Sequence, residues 1–131
     1  MLKRIQKFVL CISLLTTIPA FSGCIPLLIG AAAGAGGYAW IRGVLVKQYE
    51  LPVSKVHDAV LGAMKKLSLS VHYDKADRIT AVTRAEFSDG KNVNIDINAV
   101  TEHSAQIKIR VGVFGDRMRS ELILDAVDKS M

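Results

Sequence analysis

Two cysteines, three prolines and an aromatic content of 6% leave 131 residues with little to cross-link or stack. One cysteine, Cys11, falls inside an apolar amino-terminal stretch, and the other, Cys24, lies just beyond it. A disulfide framework of the kind that staples small secreted domains is therefore excluded, and the fold must rest on its core. A strong charge excess is missing as well. The formal net charge is +5, but Lys3, Arg4 and Lys7 supply three of the 17 basic residues, which leaves 14 against 12 acidic ones from Cys24 onward. A phosphate-binding surface needs a dense surplus of Lys and Arg, so nucleic acid is not expected as a partner. The length excludes large multidomain architectures and long repeat arrays. With 50% hydrophobic and 22% charged residues, the chain is not disordered overall. Charge is also absent locally, from Phe8 through Ile41.

That uncharged run begins as a targeting segment. Met1 to Lys7 is short and positive, Phe8 to Phe21 is apolar with Pro19 near its end, and Ser22-Gly23-Cys24 follows. This is the three-part layout of a secretory signal. Its apolar part is about 14 residues long, against the roughly 20 that a permanent transmembrane helix needs.

Phe21-Ser22-Gly23-Cys24 resembles a bacterial lipobox, the cleavage and lipidation motif of lipoproteins. The resemblance implies removal of residues 1–23 and attachment of diacylglycerol (and fatty acid such as palmitate) at Cys24, since only a thiol forms the thioether. Phe21 departs from the commoner Leu. The other reading is ordinary cleavage after Ser22, because Ala20-Phe21-Ser22 fits a small-x-small site. Ile25 follows the cysteine, where Asp would retain an enteric-type lipoprotein at the inner membrane. The expected location is thus the outer membrane, facing the periplasm.

Residues 24–43 form a Gly/Ala-rich segment with two open readings. Gly30/Gly34 and Ala33/Gly37 are small-xxx-small pairs at helical spacing, which permit close helix contact in lipid. Tyr38 and Trp40 suit a membrane interface. The stretch resembles those of glycine-zipper envelope lipoproteins, which implies that residues 27–41 insert and oligomerise. Alternatively the segment is an apolar tether, since each glycine within residues 30–37 costs a helix about 1 kcal/mol relative to alanine.

Residues 44–131 read as one small α+β domain, in the order β-α-β-β-β-β-α. A strand is expected over 44–51, then Pro52, then a helix over 55–67 capped by Ser54. Val56, Val60, Ala63, Met64 and Leu67 make its apolar stripe. Four alternating segments follow, with Leu69/Val71/Tyr73, Ile79/Ala81/Thr83/Ala85/Phe87, Val93/Ile95/Ile97/Ala99 and Ala105/Ile107/Ile109/Val111/Val113 on their apolar sides. Alternation of this kind marks an antiparallel sheet of four to five strands, covered on one face.

Two turns fix the register. A three-residue loop at Ser88-Asp89-Gly90 pairs Ala85 with Val93, Thr83 with Ile95 and Ala81 with Ile97, keeping apolar residues together. A hairpin around Thr101-Glu102-His103 sets Ile97 against Ile107 and Asp96 against Lys108. Asp116 is placed to cap a last helix with the stripe Met118, Leu122, Ile123, Ala126 and Val127. Lipobox, Gly/Ala stretch, compact module and the Phe114-Gly115-Asp116 step together resemble small bacterial lipoproteins of an uncharacterised domain family, a resemblance that brings no activity with it.

The chain carries no recognisable catalytic constellation. His57, His72 and His103 have no metal-ligand spacing and no thiol to join them. There is no phosphate loop, nucleophile elbow or dinucleotide fingerprint, and Asp77-Arg78 reads as a solvated loop beside Asp74. No catalytic residue, metal or cofactor is expected, and the site prediction reduces to lipidation of Cys24. The polar side of the sheet, Asn92, Asn94, Asp96 and Asn98 beside Gln106, Lys108 and Arg110, reads as a solvated surface or as a platform for an envelope protein or peptidoglycan. The expected function is a non-enzymatic envelope lipoprotein, an interaction or assembly module held at the membrane through Cys24.

Overall fold

The computed structural model describes residues 37–131. Residues 1–23, Cys24 and both small-xxx-small pairs except Gly37 lie outside the described residues. The elements run β1 (Ala39–Ile41), β2 (Val44–Tyr49), α1 (Val53–Lys66), β3 (Ser70–Ala76), β4 (Thr80–Glu86), β5 (Asn92–Thr101), β6 (Ser104–Val111) and α2 (Arg117–Asp128). They form an α+β domain whose single antiparallel sheet has the order β1-β2-β6-β5-β4-β3. Both helices pack on one face, α1 against β3 to β6 and α2 against β2 and β6, and the two touch each other.

The sheet has six strands rather than four to five. The extra one, β1, uses Ala39, Trp40 and Ile41, which belong to the stretch read as tether or membrane element. β1 and β2 join through Arg42-Gly43, both at positive φ (49° and 81°), with Ile41 paired to Val44. Two positive φ values give the primed turn whose twist matches a hairpin. Trp40 packs against the core, and the Tyr38 hydroxyl donates to Glu121. Neither aromatic is therefore free to sit at a membrane interface as a helix residue. Among the described residues no helix is long and apolar enough to cross a membrane.

The centre of the sheet follows its alternation. Val93, Ile95, Ile97, Ile107, Ile109 and Val111 are almost wholly buried under the helices. Each such side chain contributes about 1.5–3 kcal/mol relative to full exposure. Ala81, Thr83 and Ala85 face them in the expected register, and Ile95↔Ile109, Ile97↔Ile107 and Ala99↔Ala105 hold across β5 and β6. In the β4–β5 loop, Gly90 adopts φ +86°, and Phe87 N–H donates to Lys91 C=O at 2.9 Å.

Other positions depart from the expectation. α1 starts at Val53 with Pro52 as its N-cap and no side-chain cap, so Ser54 is an exposed helical residue. Pro52 C=O already accepts from Lys55 and Val56 N–H, and proline's fixed φ suits a helix start. α1 ends in Ser68 at φ +54°, with Leu69 N–H donating to Met64 C=O and Ser68 N–H to Lys65 C=O. This left-handed cap satisfies two terminal carbonyls without glycine.

β3 is exposed along its whole length, Val71 and Tyr73 included. Its pairing slips between Val71 and Tyr73, so that Val71 faces Ala85 but Tyr73 faces Arg84. The bulge at His72 reverses the side-chain parity, because one unpaired residue moves every later side chain to the opposite face. Ile79 and Val113 are exposed beyond the ends of their strands. In α2, Asp116 caps as expected, its carboxylate accepting from Arg119 N–H at 3.2 Å. The buried stripe, however, is Ser120, Ile123, Leu124, Ala126 and Val127, while Met118 and Leu122 face outward.

Gly43 and Gly115 pack backbone to backbone. A Cβ on Gly43 would collide with the carbonyl of Phe114, and one on Gly115 with the carbonyl of Gly43. Both sit at positive φ (81° and 84°). The β1–β2 turn and the approach to α2 are thereby locked together, which requires glycine on both sides.

Candidate functional site

The face of the sheet opposite the helices carries Asn94, Asp96 and Asn98 from β5 opposite Arg110, Lys108 and Gln106 from β6, in that register. β4 adds Arg84. These side chains share a face because β4, β5 and β6 keep strict two-residue alternation, and every residue pointing away from the isoleucine row points here. Arg84, Asn94, Asp96, Lys108 and Arg110, with Val44, line an open depression of about 320 Å³.

The expected Asp96–Lys108 cross-strand pair exists as a register but not as an ion pair. Asp96 Oδ1 instead accepts from Arg84 Nη2 at 2.9 Å. Arg84 also donates through Nη1 to the carbonyls of Ile95 and Thr83, at 3.1 and 3.2 Å. A planar guanidinium with several donors reaches carboxylate and backbone together, which an ammonium cannot match. Lys108 is left exposed, with no acidic partner among the described residues. Arg110 Nη2 donates to the Arg42 carbonyl at 3.2 Å, while its Nε is buried with no partner among the described residues. Arg110 and Asn94 also line a second depression of about 540 Å³ that continues toward Lys91 and the 112–116 turn. Three cations and one carboxylate make this a surface for anionic and hydrogen-bonding groups. Among the residues lining it, no nucleophile and base are in contact.

The histidines are dispersed. His72 lies at the bulge and His103 in the β5–β6 turn, both exposed. His57 is buried on α1, and its Nε2 is 2.9 Å from Asp74 Oδ1, which also accepts from Thr83 Oγ1 at 2.8 Å. Both partners converge on the carboxylate, so the histidine cannot activate the threonine, and the cluster ties α1 to β3 and β4. Asp74 reaches it only because the bulge turns it inward. Asp77 sits in the exposed β3–β4 turn. No group of three His, Cys, Asp or Glu side chains that could hold a metal occurs among the described residues.

Two further clusters were not legible as pairs in the sequence. Lys47, buried on β2, contacts both oxygens of Asp128 at 2.9 Å, and the Tyr49 hydroxyl donates to the same carboxylate at 2.6 Å. Burial, then the neighbouring Asp128 carboxylate, pushes the Tyr49 phenol well above its ordinary range. At the other end of α2, Arg119 donates to Asp89 at 2.9 Å and lies 4.8 Å over the Phe87 ring. The Arg119 guanidinium holds the Asp89 carboxyl down at about 2. The Asp116 carboxyl is lowered by the Arg119 backbone N–H and by Lys91.

Residues 7–130 match the model of a family described as protein of unknown function (DUF3568). The chain belongs to that family. The match begins within the amino-terminal segment and runs through α2, so the family covers most of that segment, the Gly/Ala stretch and the folded domain together. No curated protein matches the chain significantly.

Proposed function

We propose that this DUF3568 protein is a non-enzymatic envelope lipoprotein of the bacterial outer membrane, anchored through Cys24, whose domain presents the polar sheet face to an envelope partner. The observation that carries the interaction reading is the arrangement of Arg84, Lys108 and Arg110 around one carboxylate on an uncovered sheet face, with Lys108 unpaired among the described residues. A face that only needed to be wet would not need three cations grouped about a depression. The partner's matching chemistry is acidic and hydrogen-bonding, as offered by an acidic protein surface or the carboxylates of peptidoglycan. The anchor reading is supported by Phe21-Ser22-Gly23-Cys24 after an apolar signal and by a family match that includes most of this segment.

Cell fractionation combined with intact mass measurement tests the anchor. The mature chain should begin at Cys24, carry acyl chains and sediment with outer membranes, and Cys24→Ser should abolish the modification. An unmodified terminus at Gly23 overturns the anchor. Native electrophoresis of gently solubilised envelopes tests the face. Lys108→Glu combined with Arg110→Glu should release the chain from a larger complex without lowering its abundance. A chain that migrates alone before substitution overturns the interaction reading.

A further inference from the structure

The turn between β6 and α2 exposes its apolar side chains to an unusual degree. Val113, Phe114 and Met118 are 83%, 94% and 81% exposed, with Leu122 one helical turn beyond Met118 and also exposed. Large apolar side chains this exposed and this close together mark a contact surface. The turn that presents them is tied down by its backbone. Gly112 N–H donates to Asn92 C=O, Asp116 N–H donates to Val111 C=O, and Gly115 is locked against Gly43.

Two observations bear on what this corner would meet. The first is the route of the chain. Tyr38 is held to Glu121, which also accepts from Arg117 of the same α2 turns, and β1 then delivers Ile41, Arg42 and Gly43 directly against Phe114 and Gly115. The chain therefore joins the domain beside this corner. From Cys24 to Tyr38 it spans at most roughly 50 Å when fully extended, so an anchored Cys24 keeps the corner within that distance of the bilayer. The second is charge. Arg42, Lys91, Arg110, Arg117 and Arg119 surround the corner; of its acidic groups, Asp89, Asp116 and Glu121 are engaged by these cations or by Tyr38, and Glu86, beside Gly90, has no cationic partner among the described residues, so the cations exceed the carboxylates by one. Arg42 and Arg110 have no acidic partner among the described residues. Cations ringing an apolar tip complement the anionic headgroups of a phospholipid surface.

We propose that the corner formed by Val113, Phe114 and Met118 docks into the headgroup region of the membrane that carries the lipid anchor. The inference rests on the anchor reading. Docking fixes the orientation of the domain: the apolar corner lies in the membrane interface, and the β5–β6 turn, a strand length or roughly 25 Å away, points into the aqueous space.

The test uses the full lipidated chain in vesicles of phosphatidylethanolamine and phosphatidylglycerol, with and without lipids brominated on their acyl chains. Phe114→Trp and Val100→Trp are each read against the parent chain, whose only tryptophan is Trp40. Flotation reports the anchor, and quenching reports the docking. The added signal of Phe114→Trp should shift to the blue and fall about twofold with brominated lipid, as expected for a ring at the headgroup–acyl boundary, while that of Val100→Trp stays wet and unquenched. A chain that floats with both positions equally unquenched overturns the docking and leaves the anchor standing. Failure to float overturns both. A blue shift at Phe114→Trp without bromine quenching means that a second copy or another protein covers the corner, and also overturns the docking.

Discussion

β5 and β3 lie two places apart in the same sheet, but β5 is paired on both sides and roofed by helices, whereas β3 is paired on one side and open along the other. In β5, one slipped residue would turn Val93, Ile95 and Ile97 to the solvent and Asn94 and Asp96 to the core. The cost of that inversion fixes the register. β3 has little buried surface at stake, so it accommodates a bulge at His72 and turns Tyr73 outward and Asp74 inward. Where packing constrains each side chain, a sequence pattern and a structure must agree. Where it does not, single polar contacts decide, and here the deciding contact is Asp74 with His57 and Thr83.

Substitutions can break this contrast at graded strengths. Ile97→Asp, which puts a carboxylate beneath the helices without a partner, should abolish folding, seen as a lost cooperative melt by circular dichroism. Ile97→Ala should leave the fold but cost about 2–5 kcal/mol in chemical denaturation. Asp74→Ala leaves the buried His57 and Thr83 groups unpaired and should cost about 1–3 kcal/mol, even though Asp74 itself lies on an exposed edge. Asp96→Ala removes a half-exposed ion pair with Arg84 and should cost no more than about 1 kcal/mol. Val71→Ser and Tyr73→Ser should both fall within about 0.5 kcal/mol. A large loss at Tyr73 would show that β3 is covered after all.

Acid sharpens the comparison at the β4–β5 loop, where register and ion pairing meet. The Asp89 carboxyl is lowered to about 2 and that of Asp116 is lowered as well, so both favour the folded state while ionised. Their contribution is complete above the ordinary carboxylate value of about 4 and is lost as pH falls toward about 2. The melting temperature should decline across that window, and Asp89→Asn should flatten part of the decline. Tyr49 acts at the opposite end. Its raised pKa makes the neutral phenol favour the fold, so stability should erode as pH climbs past about 10, and Tyr49→Phe should remove that slope.

The central strands, both hairpin registers, the Asp116 cap and the β5 and β6 members of the polar face were legible in the sequence because two-residue alternation and one buried face leave a single consistent pairing. β1 was not, because Ala39-Trp40-Ile41 closes an apolar Gly/Ala run and only the Arg42-Gly43 step before Val44 hints at a hairpin. The outward side of α2 departs from the expected stripe for a similar reason. Met118 and Leu122 continue a helical stripe by spacing, but only Ser120, Ile123, Leu124 and Val127 reach the sheet. At the candidate site, the β5 and β6 residues of the face were readable, but Arg84 of β4 and the pairing it makes were not. Arg84 takes Asp96 from Lys108 because its fork spans to two backbone carbonyls at once, a geometry that spacing alone does not encode.

The central claim is that the polar sheet face, and not the helical side, meets the envelope partner. Site-specific photo-crosslinking in living cells tests it most directly, with benzoylphenylalanine placed at Asn94 or Gln106 on the face and at Asp58 or Asp125 on the exposed sides of α1 and α2. A discrete adduct should form from Asn94 and Gln106, be absent from Asp58 and Asp125, and disappear when Arg110→Glu is added. Adducts that form only from the helical positions, or that persist from Asn94 with Arg110→Glu present, would contradict it.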